Sequence, residues 1–155
     1  MKSKKILYLF LALLLPGLIF VFLKKFGKNE FNLPVYYTDG VTENKCGWVY
    51  STPYVLPDSL WAYEKKKATL FVVSEDVEGR KNLKKLIRDF DQNEYTVAVV
   101  PSHLTQLREC VLLASEVWGV VLVDDKKQIR GYYDPTTREE IDRLRMEMSI
   151  LLKKY

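Results

Sequence analysis

Hydrophobic positions along this chain fall into three regimes. From Ile6 to Leu23 the sequence ILYLFLALLLPGLIFVFL runs eighteen residues without a charge. From residue 36 to 63 the apolar positions are irregular and mostly aromatic: Tyr36, Tyr37, Trp48, Tyr50, Tyr54, Trp61 and Tyr63, broken by Gly40, Gly47, Pro53 and Pro57. From Ala68 on, short apolar runs alternate with helix-spaced leucines and isoleucines. The runs ATLFVVS (68–74), YTVAVV (95–100), WGVVLVD (118–124) and IRGYY (129–133) predict four strands, the last two joined as a hairpin by DDKKQ. Leu83, Leu86, Ile87 and Phe90 predict a helix over 80–92, and Leu104, Leu107, Val111 and Ala114 a second over 103–114, with Ser102 as its cap. Thr136 and Thr137 each precede a glutamate by three residues, a capping-box signature that opens a last helix running to about Lys153. The predicted order is β-α-β-α-β-β-α, an α/β domain of thioredoxin-like type. Its βαβ units call for parallel strands, its terminal hairpin for an antiparallel edge, and its apolar strands for helices on both faces.

The first regime reads as a single-pass membrane anchor. At ~1.5 Å per residue eighteen residues reach ~27 Å, close to the ~30 Å hydrocarbon core of a bilayer. Pro16-Gly17 is tolerable inside such a helix. LKKFGKNEF, which follows, offers no signal-peptidase site, and no Cys follows to carry a lipid anchor. Lysines flank both ends, so the positive-inside count is nearly balanced; the protonated N-terminus tips it toward a domain outside the cytoplasm. The organisation expected is a basic N-terminus (1–5), the anchor (6–23), a polar tether (24–35), an aromatic-rich extension (36–67) and the α/β domain (68–155). The net charge of +4 belongs to the anchor region: residues 1–33 hold six Lys and one Glu, whereas residues 34–155 hold 18 basic and 19 acidic groups. That distribution, with no basic stripe interleaved with aromatics, argues against nucleic acid as a partner.

Candidate chemistry is sparse. Glu75, Asp76 and Glu78 crowd the turn between the first strand and its helix, where carboxylates serve the helix dipole as readily as they would a cation. Their spacing is not that of a calcium loop, and one Gly among three acids does not cradle phosphate. His103, the sole histidine, sits at a helix start with no soft ligands beside it in sequence. Lys81, Lys84, Lys85 and Arg88 form a basic helix face, read as solvated surface or as a dock for an acidic partner. The aromatic extension either packs on the domain or presents a partner surface. Cys46 and Cys110 are either independent thiols or, if the extension folds over the second helix, a disulfide.

The anchor, the extension PYVLPDSLW and the ending VLVDDKKQIRGYYDPTTREEIDRLRMEMSILLKK together resemble the Sco/SenC group of membrane-anchored, thioredoxin-like copper chaperones; LVDDKKQIRGYYD is the most specific piece. That resemblance implies a Cys-x-x-x-Cys in the first strand-to-helix turn and a His before the third strand, soft ligands suited to Cu(I) and a dithiol able to cycle. Placed on this chain, the two Cys positions fall at Glu75 and Gly79 and the His position at Glu116, eight residues before Asp124. None of the three is a ligand for Cu(I). The expectation is therefore a non-catalytic binding or assembly module of the bacterial envelope, in the inner membrane with its domain on the periplasmic side. Residues 6–23 meet the membrane, a protein is the partner, and no cofactor, metal or catalytic residue is called for. The alternative is a thiol-disulfide redox protein using Cys46 and Cys110.

Overall fold

A computed structural model describes residues 14–22, 24, 32–42, 45–60 and 66–152. The chain divides into two compact units, Met1–Asn32 and Leu33–Tyr155. In the first unit residues 14–22 are helical and expose Leu14, Leu15, Leu18, Ile19, Phe20 and Val21. Residues 6–13 and 23 of the expected anchor, the basic N-terminus 1–5 and most of the tether lie outside the described residues. Among the described residues no helix is long and apolar enough to cross a membrane.

The second unit is a mixed four-stranded sheet with helices. Strand β1 is Ala68–Val72, followed by helix α1 (Val77–Ile87), β2 (Tyr95–Val99), a five-residue π-helical turn (Leu107–Val111), β3 (Val120–Asp124), β4 (Ile129–Tyr133) and helix α2 (Arg138–Leu151). The order across the sheet is β2-β1-β3-β4. β1 and β2 are parallel, as the βαβ pattern requires, and β3–β4 is the expected antiparallel hairpin. β3, however, runs antiparallel to β1, with Val72 opposite Val120 and Ala68 opposite Asp124. A parallel crossover must carry the chain back along the whole sheet. Here the connection after β2 stays at the end where β1 finishes, and the Gly119 carbonyl accepts from Val73 N and Ser74 N at 2.9 and 3.1 Å.

Alternation along the strands sends side chains to two different covers. On one face Ala68, Leu70, Val72, Val120, Leu122 and Tyr133 pack against Leu83 and Leu86 of α1 and Ile141, Leu144 and Met148 of α2. On the other, Phe71, Val73, Val121, Val123 and Tyr132 pack against Tyr54, Leu56 and Leu112, with Tyr37, Tyr50 and Leu60 at the margin. The two α-helices therefore cover one face only, and the aromatic extension covers the other together with Leu107, Leu112 and Ala114 from the π-helical turn and the residues after it. Helix α1 begins earlier than its leucines suggest because Asp76 is its cap, accepting from Gly79 N at 2.6 Å. Thr137 caps α2.

The hairpin is held from inside. Asp124, buried, accepts from Lys126 N (2.9 Å) and Gln128 N (2.8 Å) with one oxygen and pairs with Arg130 Nε and Nη2 (2.8 and 2.7 Å) with the other. Arg130 Nη1 donates to Leu33 O at 2.7 Å, and Tyr36 N donates to Ile129 O at 2.9 Å, so the start of the extension is fastened to β4. The LVDDKKQIRG motif is thus a structural clasp.

Gly131 is a tight point. A Cβ there would collide with the ring of Tyr133, Cζ lying 2.6 Å away. That ring cannot retreat: it is fully buried, its hydroxyl donates to Glu147 at 2.5 Å, and Arg143 lies over it at 4.7 Å. Gly131→Ala is expected to cost about 1–3 kcal/mol by overpacking, read as a lower urea midpoint at unchanged slope.

Candidate functional site

The turn after β1 and the loop before β3 meet at one end of the sheet. They form a cleft of about 480 Å³ lined by Ser74, Glu75, Ser102, Arg108, Glu116, Val117, Trp118, Asp134 and Thr136, among others. Glu75 and Glu116 therefore share a wall, although they are far apart in sequence. Gly79 does not line it. Its site faces Pro135, whose Cγ lies 2.9 Å from where a Cβ would stand, so a larger residue there would need Pro135 to move. Of the acidic turn, Asp76 is engaged as the helix cap and Glu78 pairs with Lys81 at 3.6 Å. Glu75 and Glu116 have no ion-pair or hydrogen-bond partner among the described residues. Arg108 Nη2 donates to Ser115 O at 3.0 Å, and Asp134 Oδ1 accepts from Thr136 N and Oγ1 at 2.9 and 2.7 Å. Carboxylates and hydroxyls here can hold a cationic or hydrogen-bonding group. Among the described residues no group of three or more His, Cys, Asp and Glu is arranged to hold a metal ion. His103 is exposed and lines no cleft described here.

Cys46 and Cys110 are joined in a disulfide, their Cα atoms 5.8 Å apart across a sequence separation of 64. It ties the extension to the π-helical turn. Cys110 is buried, and Cys46 is half-exposed and lines a second cleft of about 440 Å³ with Tyr37, Lys45, Tyr50, Glu109 and Glu116. Glu116 stands on the wall of both clefts.

The segment around Cys110 is not the α-helix that Leu104, Leu107 and Val111 predict. Its carbonyls are taken in succession by tyrosine hydroxyls: Tyr50 donates to Cys110 O (3.0 Å), Tyr54 to Val111 O (2.6 Å) and Tyr132 to Leu112 O (2.9 Å). Leu112 N bonds Leu107 O in a wide π turn, and Leu113 follows with φ +52°. Sequence reasoning missed this clamp. Its signal is the spacing of tyrosines in the extension, which becomes informative only once the extension is known to lie on the sheet.

The clamp leaves a pH signature. Burial first, then the neighbouring Tyr50 and Tyr37, pushes the Tyr54 hydroxyl from its ordinary value of 10.0 up to about 12. Burial likewise raises Tyr132, helped by Tyr37, and Tyr133, helped by Glu147. Folding thus favours the protonated phenols. Their contribution to stability is complete below pH ~10, the unfolded value, and is lost as the pH rises through the folded values. Absorbance at alkaline pH is expected to show tyrosines that do not ionise in the ordinary range. The melting temperature is expected to fall between about pH 10 and 12; a flat melting curve across that window would contradict the clamp.

No protein-family model matches this chain, and no curated protein matches it.

Proposed function

We propose that this chain is a non-catalytic, membrane-anchored, thioredoxin-like module of the bacterial envelope. It would resemble the Sco/SenC group in scaffold and act by binding or assembly. The strand order β2-β1-β3-β4, with the βαβ unit first and the hairpin and α2 last, supports the thioredoxin-like reading. The uncharged run 6–23, with helical, apolar and exposed residues at 14–22, supports a single-pass anchor, and the protonated N-terminus ahead of it supports a domain on the periplasmic side. The observation that carries the functional reading is the turn after β1. Where the resembled group holds thiols, this chain places a carboxylate facing a cleft and a glycine packed against Pro135, with a second carboxylate, Glu116, at the histidine position. Hard oxygens do not suit Cu(I). Titrating the full chain in neutral detergent with Cu(I) against a competing chelator is expected to show no stoichiometric binding with the disulfide intact. One tightly held Cu(I) per chain would overturn the reading.

A second reading has an observation of its own. The Cys46–Cys110 disulfide borders a cleft, which a thiol-disulfide exchange protein would need. Catalysed reduction of a protein disulfide by dithiothreitol, abolished in Cys46→Ser, would favour that reading. The stapling role of the bond predicts no such catalysis.

A further inference from the structure

The two edges of the sheet are treated differently. At the β4 edge, Tyr36 N donates to Ile129 O and Arg143 Nη2 to Tyr132 O, so main-chain carbonyls of that strand are taken by the extension and by α2. β2 is the other edge and pairs with β1 alone. Val100 N donates to Val72 O at 2.8 Å, and Glu94 O accepts from Lys67 N at 3.0 Å. Even-numbered positions of this strand therefore turn their N–H and C=O groups toward β1, and Val97 and Val99 turn theirs outward. Among the described residues nothing hydrogen-bonds to the main chain of Val97 or Val99 on that side. Open edges are commonly protected by a charge, a proline or a bulge. Tyr95–Val99, YTVAV, has none of these, and its register with β1 runs unbroken. The side chains fit the same picture. Val99 is 62 % exposed; Val97 is half-buried at the margin of the core under the helices, and Ala98 at the margin of the core on the opposite face.

We infer that β2 pairs antiparallel with β2 of a second copy of this chain, about a two-fold axis at Ala98. Val97 of each copy then stands opposite Val99 of the other, and each of these two pairs exchanges two N–H···O bonds through the groups left open. On the helix face each exposed Val99 gains the other copy's Val97 as cover. On the opposite face the two Ala98 residues meet as a close, non-hydrogen-bonded pair, with Cα atoms ~4.5 Å apart, where a small side chain fits. Two features select a second copy over a foreign strand. The edge is neutral, so it offers no charge for a charged strand to match, and its own sequence is complementary to itself under the two-fold. The pairing also closes: both outer edges of the joined sheet are β4, whose carbonyls are already engaged, so assembly stops at two copies. This association goes beyond the binding-module reading and does not depend on it.

A contact of this length belongs with weak complexes, with a dissociation constant expected around ~10–100 μM. Sedimentation equilibrium of the full chain in density-matched neutral detergent, over a concentration series that brackets that range, is expected to show monomer passing to dimer. Val99→Lys sets a charge against the other copy's Val97, and Val97→Pro deletes an outward N–H without touching a bond to β1. Each is expected to weaken the dimer at least about tenfold. Val77→Lys, at a position 81 % exposed but on α1, is expected to leave it unchanged. On mild oxidation Ala98→Cys is expected to give a disulfide-linked dimer and Thr96→Cys is not, because only residue 98 faces its own counterpart. Circular dichroism checks the fold of each variant; should Val97→Pro fail to fold, Val99→Lys decides. A wild type that stays monomeric throughout the series would overturn the inference. So would a dimer that persists in Val99→Lys, which would place the association elsewhere on the chain, or one that Val77→Lys weakens equally. Ala98→Cys linked in cells to a different protein instead of to itself would also overturn it, and would give the edge to a foreign strand.

Discussion

Removing the disulfide as Cys46→Ser/Cys110→Ser is expected to destabilise the domain by about 4 kcal/mol. The bond closes a loop across a sequence separation of 64, and chain-entropy arithmetic for a loop of that length gives a figure of this order. The extension it secures covers one sheet face together with the segment that holds Leu107, Leu112 and Ala114, and the disulfide joins these two covers to each other. Small domains hold only about 5–15 kcal/mol in total, so the double variant should unfold at a much lower urea concentration, and reductant should bring the wild type close to it. The three tyrosine bonds to the carbonyls of Cys110, Val111 and Leu112 remain in the variant. The bonds from Tyr50 and Tyr54 are expected to keep residues 50–56 docked in native conditions while residues 45–49 become more open to hydrogen exchange. A midpoint unchanged between variant and wild type would show that the tyrosines, not the disulfide, hold the extension.

Asp124→Ala is the second large effect, expected at about 3–5 kcal/mol. It strips both nitrogens of the Arg130 fork from their carboxylate and leaves that guanidinium, whose side chain is only 15 % exposed, with the Leu33 carbonyl alone. Removing one partner of a buried pair leaves an uncompensated charge, which costs more than the pair is worth. The turn also loses the oxygen that accepts from Lys126 N and Gln128 N. Adding Arg130→Met to Asp124→Ala is therefore expected to restore part of the loss, and strict additivity of the two single variants would argue against a coupled pair. Because Arg130 also grips Leu33, the single variant should loosen the first residues of the extension as well as the hairpin.

Local signals carried much of this architecture. Apolar runs placed all four strands, the polar DDKKQ placed the hairpin, and Thr137 capped the last helix at the position that its glutamate three residues on marks. What failed was long-range. Periodicity carries no direction, so the antiparallel course of β3 was invisible. Leu104, Leu107 and Val111 are spaced for an α-helix, but tyrosines from residues 50, 54 and 132 take the carbonyls beyond them, and no local pattern reports that competition. The second face was expected to be covered by a helix because the cover lies in an extension whose aromatics have no period. Asp76 as a helix cap was hidden among three acids in four residues, any of which the dipole would favour. At the candidate site, Glu75 stood out in the acidic turn after the first strand and Glu116 by resemblance alone; their sharing of one cleft follows from the loop before β3 packing on the end of β1. The pairing of Cys46 with Cys110 depended on the extension crossing the sheet, which sequence left open. The motif LVDDKKQIRG, the most specific part of the resemblance, is explained by Asp124 and Arg130 as a clasp, so it speaks for scaffold and not for chemistry.

The central claim is that this chain keeps a scaffold and does no chemistry on it, so that its one thiol pair is a staple. The most direct test is to quench growing cells with acid, alkylate the total protein with a maleimide that adds mass, and resolve the redox state of the chain. The account predicts a single species with Cys46 and Cys110 bonded and unlabelled, unchanged when the cellular dithiol supply is altered. A steady mixture of bonded and doubly labelled chains that shifts with that supply would contradict it and make the pair a working redox couple.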